Sequence, residues 1–274
     1  MSILRLVILF LLFSYTVFSQ SPQTIDPKVV GEVQIYNNLV ERLYSQGKHQ
    51  EALPIAEKIF QIAKIQMGIE HPDTLTYMNN LAFLYNSQGR HEKAEPLFLQ
   101  TLELREKILG KNHPHTLTSM NNLAALYYSQ GSYEKAEPLY CQTLELSEKI
   151  LGKNHPSALT SMNNLAFLYD SQGRYEKAEP LFLQTLELSE KILGKNHPDT
   201  LTSMNNLAFL YDSQGRYEKA EPLYRQTLKL REKILGENHP DTLTSMNNLA
   251  GLYDSQGRYE KAEPLYRQTL KLRE

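Results

Sequence analysis

Between residues 198 and 214 the apolar side chains fall at Leu201, Met204, Leu207, Ala208 and Tyr211. That is the i, i+3, i+4, i+7 spacing of one buried helical face. After a break at Gly215 the pattern resumes with Ala220, Leu223, Tyr224, Leu228 and Leu230. The spacing predicts one helix over about Pro198 to Gln214 and a second over about Tyr217 to Leu235. Local signals agree with these limits. Gly194 is placed to close the preceding helix in the left-handed conformation that glycine accepts. Pro198 suits a first helical turn, where its missing N–H costs nothing, and Asp199 sets a carboxylate at the positive end. Ala208 is small enough to let two helices approach closely. Each helix alone is marginal, so the apolar stripe must be covered by partners.

The same pattern returns every 42 residues. From His197 the unit reads HPDTLTSMNNLAFLYDSQGRYEKAEPLYRQTLKLREKILGEN, and the copy from His155 differs from it at seven positions. His-Pro recurs at His71, His113, His155, His197 and His239, and a proline recurs inside the second helix from Pro54 to Pro264. About one turn in, that proline loses at most one intrahelical bond. A fixed period of this length means a solenoid in which each unit packs on its neighbours, presenting a long surface rather than one pocket. The units are read as about 29–70, 71–112, 113–154, 155–196, 197–238 and 239–274.

The residues Leu207-Ala208, Tyr211, Gly215, Tyr217, Ala220 and Tyr224 have a spacing that resembles the tetratricopeptide repeat. The strings NNLAxLY, GRYEKAEPLY and EKxLGxNHP resemble its 42-residue, kinesin light chain type. The first unit departs from the pattern, with Val29-Val30 for His-Pro and Val40 and Leu43 for Ala and Tyr, but keeps Asn37-Asn38-Leu39. The resemblance covers residues 29–274. It implies an all-α fold, an α-solenoid of about six stacked helix-turn-helix repeats in a right-handed superhelix. It also implies that the first helix of each pair lines a concave groove contacting bound peptide.

That implication turns the polar arc opposite the stripe into a candidate site: Thr202, Asn205, Asn206, Phe209, Asp212 and Ser213 in the fifth unit. An Asn pair recurs here as Asn37-Asn38, Asn79-Asn80, Asn121-Asn122, Asn163-Asn164, Asn205-Asn206 and Asn247-Asn248. Asn is a mediocre helix former, so so many mid-helix amides are a poor choice for stability alone. An amide both donates and accepts, and a row of them can grip an extended backbone whatever its sequence. The alternative is that these amides bond neighbouring helices and fix the stacking, with the second Asn (Asn38, Asn80, Asn122, Asn164, Asn206, Asn248) the better groove candidate. Phe83, Phe167 and Phe209 hold the centre of the arc, where other units have Glu41, Ala125 and Gly251. Each is either packing against the adjacent helix or an apolar contact for a ligand, worth about 1.5–3 kcal/mol if fully buried. Asp170, Asp212 and Asp254 stand where earlier units have Tyr44, Asn86 and Tyr128. They make the C-terminal half of the groove acidic and suited to a basic or polar segment, or else are solvated helix-end charges.

Composition narrows the classes. A formal net charge of −2 leaves no basic excess for phosphates, so no nucleic-acid partner is expected. Cys141 is a lone thiol at a position held by Leu or Arg in the other His-Pro units (Leu99, Leu183, Arg225, Arg267), and no Cys/His metal spacing exists. The His-Pro histidines are one per unit, too far apart to share a metal, and are read as loop or cap residues. His49 and His91 replace a tyrosine read as core (Tyr133, Tyr175, Tyr217, Tyr259), and Glu218 and Glu221 are read as a solvent-facing pair. No nucleophile elbow, phosphate loop or zinc-protease motif is present, so no catalysis and no cofactor are expected. Arg5 before the apolar run Leu6–Phe13, with Val17 and Ser19 at −3 and −1, reads as a signal peptide over residues 1–19 cleaved after Ser19. An uncleaved membrane anchor is the alternative, and residues 20–28 are a linker. The expected location is secreted or periplasmic, or membrane-anchored if uncleaved.

The expected function is a non-catalytic scaffold or adaptor binding an extended segment of a partner protein. The resemblance implies cargo-adaptor chemistry but no motor role, since no heptad stretch precedes the repeats and an export signal fits a cytoplasmic motor badly. Two alternatives stand beside it. The last helix stops at Leu272-Arg273-Glu274 without the Lys-Ile-Leu-Gly seen elsewhere. An uncapped end of this kind supports stacking into a homo-oligomer, or marks a truncated product. The third reading is a sensor subunit of a larger complex.

Overall fold

The computed structural model describes residues 27–273. The expected signal peptide and most of the expected linker lie outside them. The described residues form twelve helices: α1 (Pro27–Ser45), α2 (His49–Gln66), α3 (Pro72–Ser87), α4 (His91–Leu109), α5 (Pro114–Ser129), α6 (Tyr133–Leu151), α7 (Pro156–Ser171), α8 (Tyr175–Leu193), α9 (Pro198–Ser213), α10 (Tyr217–Leu235), α11 (Pro240–Ser255) and α12 (Tyr259–Arg273). No helix among them is long and apolar enough to cross a membrane. Six helix pairs follow one another, each helix packed on the one before and the one after.

Each boundary has a local cause. His197, extended at φ −70° and ψ 140°, caps α9: its Nδ1 accepts from the Asp199 N–H at 3.2 Å, with Pro198 in the first turn. The same imidazole cap recurs at His71, His113, His155 and His239. The histidines thus take the place usually given to Asn, Asp or Ser. At the other end of α9, the Gly215 N–H donates to Asp212 O and the Arg216 N–H to Tyr211 O, both at 2.8 Å. This crossed pair is a Schellman closure, and Gly215 supplies its positive φ of 69°. Gly194 corrects the sequence expectation in part. Its φ is positive, at 90°, but its ψ of 159° is extended rather than left-handed helical, a region only glycine enters readily. The chain therefore leaves α8 stretched out, setting up the next cap.

The predicted stripe is the core: Leu201, Met204, Leu207, Ala208 and Tyr211 are buried, as are Ala220, Tyr224 and Leu228. Burial is wider than one stripe, because Thr200, Ser203 and Leu210 are buried too. The reason is the number of neighbours. From α3 onward the odd helices touch not only the even helices on both sides but also the next odd helix. Where a stack curves, the more closely spaced helices lie on the inside, so the odd helices form the concave wall.

Candidate binding groove

The Asn pairs sit on that wall and are linked from repeat to repeat. Asn80 Nδ2 donates to Asn37 Oδ1 at 3.2 Å, Asn122 to Asn79 at 3.0 Å and Asn164 to Asn121 at 3.0 Å. Asn206 donates to Asn163 at 3.0 Å and Asn248 to Asn205 at 3.2 Å. Every bond runs from the second Asn of one odd helix to the first Asn of the odd helix before it. The side chains from Asn79 onward are half-buried or nearly buried, so each bond is shielded on one side by the helices it joins. Stacking thus uses one donor group and one acceptor group per junction. From Asn121 to Asn206, the amide NH₂ of the first Asn and the carbonyl oxygen of the second have no protein partner and are not fully closed off from solvent. Both sequence readings of the pair therefore have a geometric counterpart.

The first repeat is different. Asn37 Nδ2 donates to Glu41 at 2.8 Å and Asn38 Oδ1 accepts from Gln34, so the two groups left over in later repeats are bonded within α1.

The three groove phenylalanines are brought to the wall but are not equivalent. Phe83 lies 5.2 Å from the Tyr44 ring of the preceding repeat. Phe167 meets Phe182 edge-on at 5.0 Å and Phe209 at 6.1 Å. Phe209 keeps 43% of its surface exposed and Phe83 37%, while Phe167 is half-buried. Each packs on one side and offers the other to the groove.

The acidic positions differ more sharply. Asp170 is only 9% exposed, its Oδ1 is buried without a hydrogen-bond partner, and burial pushes its carboxyl up from 3.8 to about 6. Asp212 is half-buried and raised by the same cause, whereas Asp254 is exposed. Repeat equivalence supplies the reason. The positions of Tyr44 and Phe83, which stack, are those of Asp170 and Phe209 on α7 and α9, and of Asp212 and Gly251 on α9 and α11. By that equivalence Asp170 stands against a phenylalanine position and Asp212 against a glycine. In the earlier repeats this position is satisfied within the protein. Asn86 Oδ1 accepts from Ser129 Oγ at 2.9 Å and faces His91 Nδ1 at 3.0 Å, and Tyr128 bonds Ser171 at 2.7 Å.

Away from the wall, two sequence readings are corrected. Glu221 is not a free solvent-facing carboxylate: it accepts from Tyr253 Oη at 3.0 Å and pairs with Arg258 at 2.7 Å, joining α10 to the next repeat. Glu179 does the same with Tyr211 and Arg216, whose guanidinium lies 4.5 Å from the Tyr211 ring. The arginine bond holds the Glu179 carboxyl below its ordinary range against the opposing effect of burial. The tyrosines replaced by His49 and His91 are not core: Tyr133, Tyr175 and Tyr217 are half-buried and Tyr259 is exposed. A further residue escaped sequence reading altogether. Arg231 is buried between repeats, donating to Asp241 O, Ser245 Oγ and Thr202 Oγ1 at 2.8–3.0 Å, and Arg105 is held in the same way at its own junction. Their alternation with Ser147 and Ser189 was the available signal.

Comparison with known proteins places this architecture. The tetratricopeptide repeat family matches over residues 32–107, 76–149, 139–191, 157–233 and 213–274. No curated protein matches the chain. Among solved structures, a kinesin light chain-type protein of Podospora anserina with nearly identical TPR-like repeats is 31% identical. The match covers 74% of this chain and 97% of that one, with a TM-score of 0.61. BtubC (BKLC) from P. vanneervenii (21% identity, 90% and 92% covered, TM-score 0.62) shares the fold. So does a Rap protein complexed with competence and sporulation factor (16%, 88% and 74%, TM-score 0.63). The chain belongs to the tetratricopeptide repeat family. Its 42-residue units are of the kinesin light chain-like type, an α-solenoid of about six repeats.

Proposed function

We propose that this protein is a non-catalytic adaptor whose concave wall takes up an extended segment of a partner protein. The observation that carries the reading is the row of amide groups left over once the Asn ladder has closed. One NH₂ and one carbonyl oxygen per junction match the alternating donors and acceptors of an extended backbone. Each bond formed contributes roughly 0.5–1.5 kcal/mol net, so several in register give useful affinity without reading sequence. The half-exposed Phe83 and Phe209 add apolar contact, and their replacement by Glu41, Ala125 and Gly251 elsewhere gives places of different size for side chains. The Rap protein complexed with competence and sporulation factor has the same fold, which supports a groove of this kind as a seat for a partner.

The ladder itself supplies the test. Asn163→Asp keeps the oxygen that accepts from Asn206 but removes the free NH₂, separating grip from stacking. A displayed library of twelve-residue peptides yields binders, and the variant is expected to bind the neutral ones about 2- to 12-fold more weakly, the value of one bond. Unchanged affinity for every neutral binder, with the fold intact, would sink the reading.

A further inference from the structure

Asp170 is an anomaly in this array. Its buried oxygen has no donor within reach, while the carboxylates at other inter-repeat junctions are paired: Glu137 with Arg174, Glu179 with Arg216, Glu221 with Arg258. Among the described residues no ion pair includes Asp170, Asp212 or Asp254. Desolvating a carboxylate without a partner is costly, and the repeat has a cheaper solution at hand, since the side-chain oxygen of Asn86 at the equivalent position has two partners. The geometry around Asp170 is also specific. By repeat equivalence Asp170 and Phe209 hold the positions of the stacked Tyr44 and Phe83, and Asp212 follows Phe209 by one helical turn. Tyr224, buried on α10, has its hydroxyl raised by burial and by both Asp212 and Asp170, so the three groups share one junction.

We propose that this junction is a seat for one basic side chain, arginine or lysine, of the docked segment, held by Asp170 and Asp212 with the exposed face of Phe209 alongside. The inference rests on the groove reading for its ligand and adds what the Asn ladder cannot supply, a choice among segments. A guanidinium or ammonium supplies charge-assisted donors to the second Asp170 oxygen, the one not closed off, and a cation beside a phenyl face is attracted by the ring. The charge would be partly desolvated there, where such pairs count for more than on an open surface. The expected preference is for a segment carrying a basic residue beside an apolar one, seated at α7 to α9. The Tyr44–Phe83 junction in the first half has no acid at this position and offers no such seat.

The test uses the full chain and small probes whose binding needs no extended backbone. N-acetyl-arginine methylamide and N-acetyl-lysine methylamide are titrated against the protein by NMR, with the norleucine analogue as an uncharged control. The basic probes are expected to shift backbone amides over residues 167–171 and 209–213, the control to leave them in place. Asp170→Asn, an amide this position already accepts at Asn86, is expected to weaken the basic probes at least tenfold. Equal shifts from arginine and norleucine, or an Asp170→Asn protein that binds arginine as well as the parent, would overturn the proposal. A neutral Gly-Ser decapeptide run in parallel separates the two readings. If it binds while arginine finds no seat, only this inference fails; if arginine seats and no extended peptide binds, only the ladder reading fails.

Discussion

Asp170→Asn should make the protein more stable at neutral pH, and the size of the gain follows from the buried carboxyl. Burial raises Asp170 from 3.8 to about 6 in the folded chain. A carboxyl raised on folding favours the native state while it is protonated. That contribution is whole below about pH 4 and is lost as pH rises through about 6. At about 1.4 kcal/mol per pH unit the loss reaches at most ~3 kcal/mol. One carboxylate oxygen is closed off and the other is not, so about 1–3 kcal/mol is the working range. Asparagine never ionises, so the variant escapes this cost at pH 8 and has nothing to escape at pH 3.5. In an array of this size, 1 kcal/mol moves Tm by roughly 2–4 °C. Paired urea melts at the two pH values measure it, with near-ultraviolet dichroism following the tyrosines. A gain at pH 8 that vanishes at pH 3.5 is expected. An equal gain at both values would trace the effect to packing, and no gain at pH 8 would remove the desolvated carboxylate from the account. A residue that costs stability is retained at a site where charge has a use.

Other substitutions probe the remaining joints. His197→Ala should cost about 0.5–2 kcal/mol by removing the cap on α9, while His197→Asn, an ordinary capping residue, should cost little; thermal melts compare the two. Asn206→Ala removes a ladder bond and should lower stability by about 0.5–1.5 kcal/mol, with hydrogen exchange accelerating first in α7 and α9. Arg216→Ala frees Glu179 and should destabilise the α8–α9–α10 junction. Because the arginine holds that carboxyl below its ordinary range, the pair's contribution is present above about pH 4.5 and fades as pH falls. The difference between Arg216→Ala and parent should therefore shrink in acid, as at Asp170, but it is a loss of stability where Asp170→Asn is a gain.

What the sequence disclosed and what it withheld divide along a physical line. Features set within one repeat were legible. The 3.6-residue period and the Gly and His-Pro punctuation placed α9 and α10 to within a residue, and cap duty for the histidines followed from position. Features set by the next repeat were not. Leu210 and Ser203 are buried because an odd helix has several neighbours, which a single helical wheel does not represent. Glu221 looks like a surface residue until Arg258 and Tyr253 arrive from the repeat beyond. Asp170 and Asp212 occupy the same position in near-identical units, yet one is buried and the other half-buried, with Phe209 and Gly251 at the equivalent positions of the next odd helices. The Asn pair lay between these cases: its recurrence was plain, but the division into a bonded half and a free half depends on stacking register.

The claim on which the rest depends is that the concave wall, and not the outer helices, receives the partner. Hydrogen exchange with and without a saturating library-selected peptide measures this directly. Slowed exchange is expected along α5, α7 and α9, weakened in the Asn163→Asp protein, with α6, α8 and α10 unchanged. Protection confined to the even helices, or unaffected by Asn163→Asp for a neutral peptide, would contradict it.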